Sequence, residues 1–205
     1  MTKKRVAVLI SGRGSNMTAL IEAAEARDYP AQIVLVLSNE PDAAGLTRAQ
    51  LAGIATVVVD HRPFAGDREA FERTLDDTLQ MHRIDLVCLA GFMRLLTPWF
   101  VGRWSGRMLN IHPALLPQFK GLHTHRRALE AGAQRHGATV HFVVPEMDSG
   151  PIVLQDSVPV RDGDTEETLA ARILEVEHRI YPQALRLVAE GRVTLASATA
   201  AAREQ

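Results

Sequence analysis

This 205-residue sequence has one cysteine, few aromatic residues (5%) and no clear excess of either charge sign. The lone Cys88 excludes an internal disulfide. Its setting in "DLVCLAG" reads as a small buried hydrophobe rather than a nucleophile. A net charge of −1 and a pI of about 6.7 lack the basic excess that nucleic acid or an acidic membrane surface calls for. Long apolar runs are missing too. The basic start "MTKKRVAVLISG" leads into only five apolar residues, too few for the core of a signal peptide. No other segment approaches a membrane span. A cytoplasmic enzyme or binding protein of small molecules is therefore expected, with neither nucleic acid nor membrane as partner.

What is present is an ordinary globular composition, 46% hydrophobic and 23% charged, in a chain long enough to bury a real core. Apolar, β-branched runs at 5–10, 32–37, 56–59 and 85–90 alternate with helix-type patterns at 16–27, 43–51 and 68–82. That alternation predicts a single α/β domain. Its sheet is mainly parallel and doubly wound, with a Rossmann-like N-terminal half. A further strand is expected at 108–111, a helix at 123–131, and two strands in "ATVHFVV" and "PIVLQDSVPV". A long helical pattern from Thr165 to Glu190 contains Pro182, which predicts a kink or a break there. A last short strand is expected at 192–195, bounding a domain of residues 1–195. The Ala-rich tail 196–205 is expected to fray.

The first strand runs into "SGRGSN", residues 11–16. Gly12 and Gly14 permit a tight turn, and the free amides of the following helix make an anion site. No third glycine completes a dinucleotide fingerprint and no lysine completes a P-loop, so NAD and ATP are disfavoured. Two readings remain: a site for one phosphate monoester, or a plain turn with Ser15 or Asn16 as helix N-cap.

"RMLNIHPALLP", residues 107–117, drives a strand outward and ends it on an amide and an imidazole pinned by Pro113. Asn110 and His112 are two apart, so they share a face of the strand. Downstream, Asp148 lies in the Gly/Pro-flanked loop of "PEMDSGPIV", where a carboxylate could reach the imidazole. Such a trio suits acyl transfer. The amide donates to a developing oxyanion, the histidine stabilises that charge or moves a proton, and the carboxylate holds the imidazole. No serine or cysteine nucleophile is evident, so the nucleophile is expected to be a substrate.

Several segments together carry a resemblance: "VLISGRGSN", "VCLAGFMRLL", "LNIHPALLPQFKGLHTH", "HGATVHFV", "DSGPIVLQ" and "EHRIYP". In content and order the chain resembles the phosphoribosylglycinamide formyltransferase family, from near residue 8 to residue 182. Arg13 and Lys120 fall where that pattern tolerates change. The resemblance implies the formyltransferase fold. It also implies transfer of the formyl group of 10-formyltetrahydrofolate, a co-substrate, to the amine of glycinamide ribonucleotide in purine biosynthesis. No metal and no covalent enzyme intermediate are needed, and a monomer or weak homodimer is expected.

By the same resemblance, Asn110, His112 and Asp148 are the catalytic trio. Gly12, Arg13, Gly14, Ser15 and Asn16 hold the nucleotide phosphate. Leu174, Glu175, Val176 and Glu177 face the nucleotide, with Glu177 on its ribose hydroxyls. Met93, Arg94, Leu95 and Leu96 line the pteridine pocket, Arg68 contacts the folate, and Val144, Pro145, Glu146, Met147 and Asp148 close over the pterin. Read without the resemblance, Glu177 is simply one charge on a solvated helix face. His123 and His125, with His112, fit no familiar zinc spacing, so no metal is expected. A hydrolase that deformylates the same folate with the same trio is the alternative. No extra N-terminal regulatory domain is expected, which argues against that alternative. A nucleotide-binding protein without catalysis would leave the trio idle.

Overall fold

A computed structural model describes residues 2–203. Five strands follow one another in parallel: β1 (Lys4–Ile10), β2 (Ala31–Ser38), β3 (Ala55–Val58), β4 (Leu86–Leu89) and β5 (Met108–His112). Two antiparallel strands, β6 (Arg135–Phe142) and β7 (Ile152–Pro159), complete a seven-stranded sheet of order β3-β2-β1-β4-β5-β6-β7. The chain winds outward from β1 to β3, then crosses back to β4. The switch point therefore lies between β1 and β4, where open α/β sheets place their ligand crevice.

The helices are α1 (Ser15–Ala24), α2 (Ala44–Leu51), α3 (Arg68–Met81), α4 (Pro98–Arg103), α5 (Thr124–Glu130), α6 (Glu166–Ala189) and α7 (Leu195–Arg203). A short 3₁₀ turn spans Arg62–Phe64. One core lies under α1, α2 and α6, where Met17, Leu20, Leu46, Ile173, Ile180 and Tyr181 pack on alternate strand residues. The other lies under α3 and α4, where Leu75, Leu79, Phe100 and Trp104 meet Leu9, Val87 and Leu89. Cys88 is fully buried in the first core, and burial pushes its thiol up to about 12, so it is inert.

Three local expectations fail, each for a physical reason. Pro182 does not break α6, which runs unbroken from Glu166 to Ala189. Ile180, Tyr181, Ala184 and Leu185 are buried around it, and Tyr29 Oη donates to the Pro182 carbonyl at 2.7 Å. That packing outweighs the roughly 3 kcal/mol a proline costs inside a helix. No strand forms at 192–195. Thr194 and Ser197 instead exchange side-chain and backbone hydrogen bonds that start α7 (3.0 and 3.2 Å). The tail expected to fray is helical through Arg203, with Ala198 buried in the first core; its last two residues lie outside the described range. The sequence reading also has no helix between β4 and β5, whereas α4 stands there with Thr97 as N-cap and Pro98 in its first turn.

Strand register positions the site. Leu109, Ile111, Ala138, Val140 and Phe142 point into the core beneath α6. By alternation, Asn110, His112, Thr139 and His141 share the opposite face. Asn110 pairs with His141 and His112 with Thr139. The helices packed on β6 and β7 are α6 and α7, both on the first face, so loops rather than helices cover these polar residues.

Candidate active site

The "SGRGSN" loop leaves β1 at the switch point. Gly14, not Ser15 or Asn16, is the N-cap of α1, in the left-handed region at φ 71° and without any side-chain cap. Neither side chain expected as N-cap takes that role. The first amides of α1 are left to an external acceptor, which is what an anion site needs. The glycines also admit a close neighbour: Gly45 N donates to Gly12 O at 3.0 Å, and a Cβ on Gly45 would stand 2.5 Å from Ile10 Cδ1.

Asn16 reaches across to α6, where its Nδ2 donates to Glu177 Oε2 at 2.6 Å. Glu177 is 7% exposed, so it is no solvated surface charge. Burial pushes its carboxyl up to about 7, opposed in part by the Asn16 hydrogen bond. Its expected neighbours separate. Val176 is in the core and Glu175 is exposed, because consecutive helical residues point about 100° apart. Leu174, half-buried, is the one that shares the helix face of Glu177.

Asn110, His112 and Asp148 converge. His112, 6% exposed, brings Nδ1 to 3.4 Å from Asp148 Oδ2, and its Nε2 lies 3.0 Å from the Phe119 carbonyl. Both ring nitrogens thus face acceptors. Asp148 has φ 50°, a left-handed conformation that Asp tolerates better than most residues. Gly121 N donates to its Oδ2 at 2.9 Å and fixes the carboxylate. Lys120, expected to be freely variable, donates through Nζ to Ser149 Oγ at 2.6 Å and so ties the two covering loops together.

His141 belongs to this constellation, and sequence reasoning assigned it no role. Its Nδ1 donates to the Phe142 carbonyl at 2.9 Å, which leaves Nε2 a lone pair facing Asn110 Nδ2 at 3.3 Å. Desolvation by burial holds its pKa down, consistent with a neutral acceptor. One N–H of the Asn110 amide is thereby held and the other is left for a substrate. Thr139 does similar work behind His112: its Oγ1 donates to Ala114 O at 2.6 Å and accepts from Leu116 N and Gln155 Nε2. The alternation of "HGATVHFV" was the available signal; the partner strand was not.

The expected folate residues form an exposed rim. Met93 and Leu95 sit in the irregular segment 91–96, and Met147 in the loop 144–148. With Leu122 they are four of the eight large apolar side chains left exposed among the described residues. Arg94 and Leu96 are half-buried, as is Val144, while Pro145 and Glu146 are exposed. Arg68 is exposed at the start of α3, one turn before Glu72, whose buried carboxylate takes the Thr97 backbone N–H at 2.7 Å and the Thr97 hydroxyl. His123 is exposed, and His125 Nδ1 lies 3.2 Å from Nε2 of the buried His136.

The formyl transferase family model matches residues 4–185, most of the chain and every residue of the trio. The chain belongs to the formyl transferase family. Within that family it is 48% identical over 190 residues to phosphoribosylglycinamide formyltransferase of Escherichia coli, covering 93% of this chain and 89% of that one. It is also 51% identical to the trifunctional purine biosynthetic protein adenosine-3 of Bos taurus. There it spans 94% of its own length but about a fifth (19%) of the relative's. Among solved structures of the family, phosphoribosylglycinamide formyltransferase of Brucella melitensis superposes with a TM-score of 0.88 at 53% identity, covering 92% of this chain and 96% of that one. Glycinamide ribonucleotide transformylase 1 of Symbiobacterium toebii gives 0.90 at 47% identity, covering 93% and 89%. The α/β, mainly parallel architecture expected from the sequence is the one the family shares. No helix among the described residues is long and apolar enough to cross a membrane.

Proposed function

We propose that the chain transfers the formyl group of 10-formyltetrahydrofolate to the amine of glycinamide ribonucleotide, a step of de novo purine biosynthesis. The observation that carries this reading is the meeting of His112 with Asp148, 36 positions away in the chain, beside Asn110. Similarity to the formyltransferases adds the substrates. The proposed formyltransferase unit is residues 1–195 together with α7, which packs on the same core, and it is read as a cytoplasmic enzyme acting on small molecules alone.

The glycinamide nitrogen attacks the formyl carbon on N10 of the folate and a C–N bond forms. The carbonyl oxygen becomes an oxyanion. Asn110, steadied by His141, donates to it, and an imidazole N–H of His112 stabilises the same charge. Asp148 faces Nδ1 of that imidazole and holds the ring in place. The incoming nitrogen loses a proton, N10 gains one, and the C–N10 bond breaks to release tetrahydrofolate. No enzyme nucleophile is required. The loop 12–16 holds the phosphate through backbone N–H groups, and Glu177 takes the ribose hydroxyls. The rim of Met93, Leu95 and Met147 receives the pterin and its aromatic extension, with Arg68 near the folate's acidic end.

Turnover of 10-formyltetrahydrofolate with and without glycinamide ribonucleotide tests this. Product formation only with the nucleotide is expected. Formate release at an equal rate without it would assign a deformylase, and binding of either ligand without turnover would assign a non-catalytic protein.

A further inference from the structure

The segment 91–96, proposed above to line the folate pocket, has little to hold it. It contains neither helix nor strand, and Met93 and Leu95 are 69% and 64% exposed. Phe92 is its one buried side chain. Yet a rim proposed to receive a ligand needs its backbone fixed.

Ser11, the residue before Gly12, supplies the fixing. Its N–H donates to Gly91 O at 3.1 Å, and its Oγ accepts from Met93 N at 2.8 Å. The direction of the second bond is set from behind. Asn39 is 1% exposed, and its Nδ2 donates to a carboxylate oxygen of Glu40 at 3.2 Å. A carboxylate accepts only, so the Asn39 amide has one orientation, with Oδ1 toward Ser11. The Ser11 hydroxyl must then give its proton to Asn39 Oδ1 at 2.5 Å, leaving its lone pairs for the Met93 N–H. The result is a one-way chain from Met93 N–H through Ser11 and Asn39 to Glu40. Each bond in such a chain polarises the next.

We propose that Ser11 is a positioning residue for the folate half of the site, although it stands at the head of the nucleotide-phosphate loop. The assignment rests on the folate reading of residues 93–96. Removing the hydroxyl frees the Met93 amide and leaves the other groups proposed to contact either substrate in place.

The test compares Ser11→Ala with Ser11→Thr, which keeps the hydroxyl. In Ser11→Ala the KM for 10-formyltetrahydrofolate is expected to rise about five- to tenfold, the scale of one lost hydrogen bond, while the KM for glycinamide ribonucleotide moves less than about twofold. Amide hydrogen exchange of the ligand-free protein is expected to speed up across 91–96. Ser11→Thr is expected to restore both. Equal rises in the two KM values, or unchanged exchange across 91–96 in Ser11→Ala, overturns the proposal. If wild type fails to turn over this substrate pair, the functional reading is rejected. The exchange result then decides the Ser11 assignment alone.

Discussion

The two halves of the cleft are built by different means. Around residues 12–16 the proposed binding groups are backbone amides, and what matters there is absence: side chains at Gly14 and Gly45, and any side-chain cap on α1. Around Asn110 and His112 the groups are side chains, each held by a partner from another segment: His141 for Asn110, Asp148 for His112, Gly121 for Asp148. A backbone site tolerates change in side chains but not in chain conformation. A side-chain site tolerates the reverse.

Substitution in the side-chain half gives the largest expected effect. Asn110→Ala or His112→Ala should lower kcat by roughly 10²-fold or more, the scale of a lost oxyanion donor or general acid. Binding of a folate analogue, followed by fluorescence or calorimetry, should change little; near wild-type turnover in either variant would remove it from the mechanism. In the backbone half, Gly14→Val puts a β-branched residue at φ 71°, with its Cβ 3.1 Å from Gly45 Cα. The KM for the nucleotide should rise by about tenfold or more, with folate affinity nearly steady and melting temperature as the folding control. Wild type should bind the nucleotide lacking its phosphate poorly, and Gly14→Val should lose little further affinity for it. Equal binding of both nucleotides by wild type would place the phosphate elsewhere.

His141→Leu tests whether the side-chain half depends on its supports. It removes the acceptor for Asn110 Nδ2, so kcat should fall about five- to tenfold with both KM values steady. A change in KM without one in kcat would make His141 a packing residue.

The smallest effect concerns Glu177, where the halves meet. Its carboxyl is raised to about 7 in the fold, against about 4.5 when unfolded. A raised folded pKa means that stability is fully present below the unfolded value and is lost as pH climbs from about 4.5 through about 7. Glu177→Gln has no such loss. The melting temperature of the unliganded variant relative to wild type should therefore climb by several degrees between pH 5 and pH 8. A difference flat across that range would mean the carboxyl is not raised.

The same contrast explains what the sequence disclosed. The glycine loop and Asn-x-His-Pro are local patterns, each complete within six residues, and so are legible without a fold. His141 acts on Asn110 only because β6 pairs with β5 in one particular register, which lies 31 residues outside the motif. Glu177 looks like a surface charge until the start of α1 is brought against it. The helix that continues through Pro182 and the missing strand at 192–195 have a related cause. In each, tertiary packing overrides a propensity or a short apolar run.

Register has a chemical consequence here. Side chains alternate faces along a strand, so a slip of β6 by one residue against β5 would carry Thr139 and His141 to the side beneath α6 and deliver Ala138 and Val140 to the reacting groups. Two bare positions make the chain hard to misalign. A Cβ on Gly137 would stand 2.1 Å from Asp156 O, and one on Gly150 1.7 Å from Phe142 O. These glycines act as the notches of a key between β6 and β7: a slip there would push a side chain into the backbone for which they leave room, while the pairing with β5 turns the His141 imidazole, rather than a methyl group, toward Asn110.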